Sequence, residues 1–220
     1  MSIYPVWFRA IRAVIRPFFK RLDVQGEDNI QEPCVIIARH LNNYGPCAVY
    51  LFTPAEFHLW GYYVFLGKET MYKQLSEYTF PTRMHLTGWP CRALARMMSW
   101  FVPGLLRQIG VLPVYRGMKT VLKTMDLSVD VLEKGENVLI MPDVDYVNES
   151  ESMGKLYTGF AHLGKFYYRR TGKCLRFVPM NVSKSKGIMR IGEGIVYDPA
   201  KPVAEERDRI VAYLQRELEG

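Results

Sequence analysis

The sequence predicts a single α/β domain, with a mostly parallel or mixed sheet flanked by helices and an N-terminal amphipathic helix. Three observations predict it. Short β-branched or apolar runs of strand length alternate with longer amphipathic stretches. The chain has 220 residues, of which 49% are hydrophobic, enough for one sizeable buried core. No internal repeat, linker or low-complexity tract divides it, so residues 1–22 read as a membrane-associating segment and 23–220 as one domain.

Residues 3 to 22 carry Arg9, Arg12, Arg16 and Lys20 on one narrow helical face. Trp7, Ile11, Val14, Ile15 and Phe18 fall opposite. A basic face set against an aromatic-rich apolar face is the pattern of a helix lying in a membrane interface. The alternative is a helix docked on the protein's own core. Pro5 suits a first turn, and Pro17 should interrupt the helix. Residues 24 to 33 form a polar, turn-rich approach. Cys34 to Ala38 is a β-branched run suited to a central strand. A turn follows at His40, and a helix should begin after Pro46.

Phe57 to Phe65 predicts a second strand and residues 68 to 78 a helix. Pro90 to Ile109 is amphipathic and nearly wholly apolar, with Arg92, Arg96 and Arg107 as its charges. It fits a core helix or a second membrane contact equally, and Pro103-Gly104 should break it. Val111–Tyr115 reads as a strand, Lys119–Glu133 as a helix, Asn137–Met141 as a strand and Lys155–Arg170 as a helix. Leu175–Val182 and Ile188–Ile195 follow as strands, and Glu205–Leu218 as a charged surface helix.

The net charge of +7 implies an anionic partner, and no zinc-ligand spacing or RNA-binding sheet motif points to nucleic acid. Cys34, Cys47, Cys91 and Cys174 are scattered, which argues against a structural zinc or a disulfide scaffold and for a reducing cytoplasmic setting. His58, His85 and His162 share no ligand spacing, so no metal site is expected. No uncharged apolar run reaches about 18 residues, and charges run throughout the N-terminal apolar segment, unlike a signal peptide. The expected location is the cytoplasmic face of a membrane, held peripherally.

Four blocks carry the chemistry. Val24 to Gly45 leads through a strand into an exposed His40 and a turn. Gly110-Val-Leu-Pro-Val-Tyr-Arg116 ends a strand in arginine. Gly135-Glu-Asn-Val-Leu-Ile-Met-Pro142-Asp143 ends one in proline and a carboxylate. Phe177-Val-Pro179-Met180 is a valine-proline strand, and Lys155 to Gly164 a lysine-glycine stretch. In this order, across about residues 20 to 198, they resemble the glycerolipid acyltransferases that acylate glycerol 3-phosphate and lysophosphatidic acid.

The resemblance implies acyl transfer from an acyl-CoA or acyl-carrier-protein thioester to a lipid-precursor hydroxyl, with no bound cofactor, metal or protein nucleophile. It makes His40 the general base. Arg116, Lys119, Tyr44, Gly45 and Pro179 become substrate contacts, with Arg116 on the acceptor's anionic headgroup. The partners implied are an anionic membrane surface, the thioester donor, the lipid acceptor and an acyl carrier protein.

Histidine suits a base that takes the hydroxyl proton as oxygen attacks, since its unperturbed pKa is about 6.5. In the family an aspartate five positions on fixes the tautomer and stabilises the imidazolium; here that position is Gly45. Losing such a partner costs about 10⁴ in turnover in the serine-protease template, roughly 5 kcal/mol. The substitutes are an amide oxygen of Asn42 or Asn43, a carboxylate of Asp143 or Asp145, or a backbone carbonyl. Val144, Asp145 and Tyr146 replace the family's glycine, threonine and arginine, which weakens the phosphate clamp. The alternative function is a catalytically inactive lipid-binding relative of the same fold.

Overall fold

The computed structural model describes residues 2–42, 44–115, 120–144 and 154–219. Among them, the strands are β1 (Asp23–Gln25), β2 (Cys34–Ala38), β3 (Phe57–Tyr62), β4 (Leu112–Val114), β5 (Asn137–Ile140), β6 (Arg176–Ser183), β7 (Ile188–Ile191) and β8 (Ile195–Val196). They form one sheet in the order β1-β7-β6-β2-β5-β3-β4, with β8 also beside β6. The pairs β2–β5, β2–β6, β3–β5 and β3–β4 are parallel, and β7 and β8 run antiparallel to β6. The sheet is therefore mixed with a parallel centre, as expected.

The helices are α1 (Val6–Ile15), α2 (Tyr44–Phe52), α3 (Lys68–Lys73), α4 (Phe80–Arg83), α5 (Gly88–Gln108), α6 (Val121–Glu133), α7 (Leu163–Thr171) and α8 (Val203–Glu219). Side-chain alternation along β2 sorts the core into two layers. Val35 and Ile37 join Val138, Ile140 and Phe177 under Leu132 of α6, Leu163 of α7 and Ile210 of α8. Ile36 and Ala38 join Leu139, Val178 and Met180 under Ala48, Val49 and Phe52 of α2. Burial on both faces is why β2 is an unbroken apolar run. Val35, Ile36 and Ile37 are all 0% exposed, and each contributes about 2 kcal/mol of transfer free energy.

Several boundaries differ from the sequence reading. The polar approach contains β1, a three-residue strand parallel to β7. β3 gives way at Tyr63–Leu66 to a 3₁₀ turn. The expected Ile188–Ile195 strand is two strands, and Pro179 sits where they exchange. β8 pairs with Arg176 and Phe177, β7 pairs from Met180 onward, and the Pro179 carbonyl accepts the Gly192 N–H at 2.9 Å. A residue with no N–H is tolerated there because the antiparallel partner is changing.

α5 runs through Pro103 rather than breaking at it. Pro103 is the last of a buried small-residue row with Cys91, Ala95 and Ser99, and packing of that edge overrides the proline's missing hydrogen bond. The edge packs on α3 and the π-helical turn Gln74–Thr79, where Met71, Leu75 and Phe80 meet Cys91 and Ala95.

The N-terminal segment is shorter than expected, α1 ending at Ile15 before a 3₁₀ turn that contains Pro17. It docks on the body. Tyr4 is buried, its hydroxyl bonded to both main-chain groups of Phe57, and Trp7 Nε1 donates to Gln108 Oε1 at 2.8 Å. Arg12 donates to the carbonyls of Leu51 at 3.2 Å and Thr53 at 2.8 Å. The expected split of faces is thus corrected. Trp7 and Arg12 turn towards the protein, because Arg12 satisfies carbonyls left open where α2 ends. Val6, Ile11, Val14, Ile15 and Phe18 remain exposed. No helix among the described residues is long and apolar enough to cross a membrane.

Candidate active site

β2 and β5 are adjacent and parallel, so their carboxyl ends open on the same sheet edge. In open α/β sheets that edge is where ligands bind. His40 lies two residues beyond β2 and Asp143 three beyond β5. The His40 main-chain N–H donates to Asp143 Oδ2 at 2.6 Å. Asp143 is in turn held by an antiparallel bridge to Leu156.

The chain then reverses through two left-handed residues, Leu41 at φ 44° and Asn42 at φ 56°. Asn42 tolerates this conformation; Leu41 does so under strain, held by burial of its side chain in the α2 layer. The reversal returns the Asn42 carbonyl to within 2.5 Å of His40 Nδ1. A carbonyl only accepts, so Nδ1 carries the proton and Nε2 the lone pair. Of the substitutes considered, the one that the described residues place on Nδ1 is a backbone carbonyl. The Asp143 carboxylate binds the main chain of His40 instead of its ring.

Gly45 closes the turn. Its N–H donates to the His40 carbonyl at 3.0 Å while Tyr44 N–H reaches the Leu41 carbonyl at 3.2 Å. A Cβ built on Gly45 would lie 2.3 Å from the carbonyl oxygens of both Arg39 and His40. Only glycine lets α2 start this close to the strand end. The constraint is steric and not conformational, since Gly45 is absent from the residues at positive φ.

The electrostatics centre on Asp143. Burial raises its carboxyl above the ordinary value, opposed by the His40 N–H and by the charges of His40 and Arg39. Arg39 is a residue the sequence reading passed over. It is buried, at 4% exposure, directly before His40. The available signal was an arginine directly after a wholly apolar strand.

The other predicted site residues are placed as follows. Tyr44 stands in the first turn of α2, its phenol pushed up by burial and its ring under the Lys184 ammonium at 5.3 Å. Pro179 is buried in β6, in register with Ile37. Asn43, Asp145, Arg116 and Lys119 lie outside the described residues. Tyr115, just before Arg116, stacks on Tyr63 with centroids 5.2 Å apart.

His58 is a hydrogen-bonded histidine of β3. Its Nδ1 is 2.7 Å from the Gly110 carbonyl and its Nε2 is 2.9 Å from Glu136 Oε2, so it ties β3 to the approaches of β4 and β5. A groove of about 450 Å³ lined by Arg16, Phe19, Arg21 and Phe52 lies at the far end of α2. α2 has nine residues, so that groove is roughly 12 Å along the helix from the His40 turn.

No family model matches the sequence, and no curated protein matches it in sequence. Among solved structures, it is similar to the crystal structure of the 1-acyl-sn-glycerophosphate (LPA) acyltransferase, PlsC, from Thermotoga maritima. The TM-score is 0.54 at 13% identity, covering 96% of this chain and 80% of that one. At that identity the likeness is one of architecture, and this chain has the α/β fold seen in that acyltransferase.

Proposed function

We propose that the protein is a peripheral membrane acyltransferase that moves an acyl chain from a CoA or acyl-carrier-protein thioester to the hydroxyl of a lipid precursor, a lysophospholipid or related acceptor. The observation that carries this reading is the His40 ring held by the Asn42 carbonyl at the carboxyl end of the central strand. In this reading Nε2 is the base. The fold shared with an LPA acyltransferase supports the same chemistry.

In the proposed reaction Nε2 takes the acceptor hydroxyl proton as that oxygen attacks the thioester carbonyl carbon. The tetrahedral intermediate collapses by breaking the C–S bond, and the imidazolium returns the proton to the leaving thiolate. The products are an ester and a free thiol. Asp143 acts as a positioning residue, pinning the His40 main chain and placing negative charge near the ring that becomes cationic. Arg116 and Lys119 are proposed to meet the acceptor's anionic headgroup, and the exposed side of α1 to rest on an anionic bilayer.

The test is incubation with labelled acyl-CoA and acyl-carrier-protein donors and a panel of lipid acceptors, read by product mass and thiol release. A second reading, a lipid-binding relative without turnover, is favoured by one observation. The group on Nδ1 is a neutral carbonyl, and the space at Gly45 admits no carboxylate. Acyl-ligand binding that His40→Ala leaves intact, with no product from any pairing, would establish that second reading.

A further inference from the structure

α5 has two unlike edges. Cys91, Ala95, Ser99 and Pro103 are buried, Cys91 and Ala95 against the residues of α3 and the turn after it. The opposite side leaves Trp89 76% and Trp100 72% exposed, with Met97 and Phe101 also exposed between and beyond them. At 100° per residue, these four share a broad face, and Arg92 and Arg96 line one flank of it, while Arg107 donates to the Leu66 carbonyl. Residues 88–108 contain no Asp or Glu. Positive charge gathers at the aromatic rim, with the Lys68 ammonium 5.7 Å over the Trp100 ring and the Arg96 guanidinium 4.4 Å over Tyr72.

We propose that this face of α5 is a second membrane-binding surface, seated in the headgroup region of an anionic bilayer. Two exposed tryptophans beside arginines, with no acid among them, match an interface with apolar chains on one side and phosphates on the other. A second copy of this chain fits poorly. A two-fold contact would oppose the same arginine flank to itself, with no carboxylate on the helix to meet it. α5 does not cross the bilayer, since no described helix is apolar enough to do so.

The placement agrees with a lipid substrate but does not depend on one. The helices α3 to α5 leave the sheet at the carboxyl end of β3, which β5 alone separates from β2 and His40. The far end of α5 is tied to α1 through Trp7 and Gln108. The two exposed faces therefore belong to neighbouring elements. The inference stands apart from acyl transfer, and its test needs no turnover.

The test uses the full chain and vesicles of phosphatidylcholine and phosphatidylglycerol, with and without brominated acyl chains. Brominated lipid should quench the wild-type tryptophan emission and leave Trp89→Phe/Trp100→Phe, which keeps Trp7 and Trp60, largely unquenched. Trp89→Ser/Trp100→Ser should weaken vesicle partitioning by about tenfold or more while thermal unfolding stays near wild type. Should that pair fail to fold, Arg92→Gln/Arg96→Gln should still reduce partitioning to phosphatidylglycerol vesicles and its salt dependence. Equal quenching in the phenylalanine variant, or partitioning unchanged by these substitutions, overturns the proposal. So does a dimer in light scattering, without vesicles, that Trp89→Ser/Trp100→Ser dissolves.

Discussion

The imidazole Nδ1 of His40 and the main-chain carbonyl of Asn42 lie 2.5 Å apart, joined across two left-handed residues. Among the described residues, the group on the Nδ1 side of the candidate base is thus set by backbone geometry, two residues downstream. The following predictions rest on that relationship and on the packing around it.

Asn42→Gly should keep turnover within an order of magnitude of wild type, because glycine adopts the same positive φ and retains the carbonyl. Asn42→Val should lose far more, since a β-branched residue resists that conformation and the turn must open. Steady-state kinetics on both variants check this. A large loss in Asn42→Gly would place the orienting role on the amide side chain.

Gly45→Ala and Gly45→Asp should each destabilise the fold by about 2 kcal/mol or more, in the range for overpacked sites. The added Cβ meets two fixed backbone oxygens at 2.3 Å. Gly45→Asp should accordingly fail to raise turnover. Chemical denaturation measures the first effect, and a stable, more active aspartate variant would contradict both.

Asp143→Asn should preserve the bond to the His40 N–H through its amide oxygen while removing the buried charge. Without that charge the imidazolium formed as the hydroxyl proton is taken is less favoured, so turnover should fall. Stability gives an independent check with a fixed sign. The Asp143 pKa is raised above its ordinary 3.8, so the native state holds this proton more tightly than the unfolded chain. Its stabilising contribution is full below that value and is lost as pH rises through the raised pKa. The asparagine variant should therefore gain stability relative to wild type as pH climbs through that window.

Arg12→Met should cost about 1.5–3 kcal/mol, the range for hydrogen bonds from a charged group, because the carbonyls of Leu51 and Thr53 lose their donor. Vesicle partitioning of the folded fraction should change little. Val14→Glu/Phe18→Glu should do the reverse, weakening partitioning while leaving stability near wild type. Point substitutions are the sharper test here, since deleting the segment would also remove Tyr4 from the core. Opposite outcomes for the two variants would reverse the assignment of the α1 faces.

Much of this fold was legible in the sequence because its signals were local. The run from Cys34 to Ala38 is β2 itself, since a strand buried on both faces needs every residue apolar. His40 stood out as the polar end of that run. What escaped depended on tertiary geometry. Pro103 reads as a helix breaker until the packing of its edge is seen. Trp7 and Arg12 read as two faces of a membrane helix until Gln108 and the end of α2 come within reach. Gly45 reads as a vacated acid position, yet its reason is the approach of two carbonyls from its own chain. The Asn42 carbonyl could not be singled out at all, because every residue has one and only the left-handed turn aims it.

The most direct measurement of the central claim is acyl-transfer turnover by His40→Ala beside wild type, at saturating thioester donor, with the acceptor that the panel identifies. If Nε2 is the base, wild type releases thiol and ester in equal amounts, and His40→Ala should be slower by at least about 10²-fold with unfolding unchanged. Turnover by His40→Ala equal to wild type, or no ester from wild type with any donor and acceptor, would contradict it.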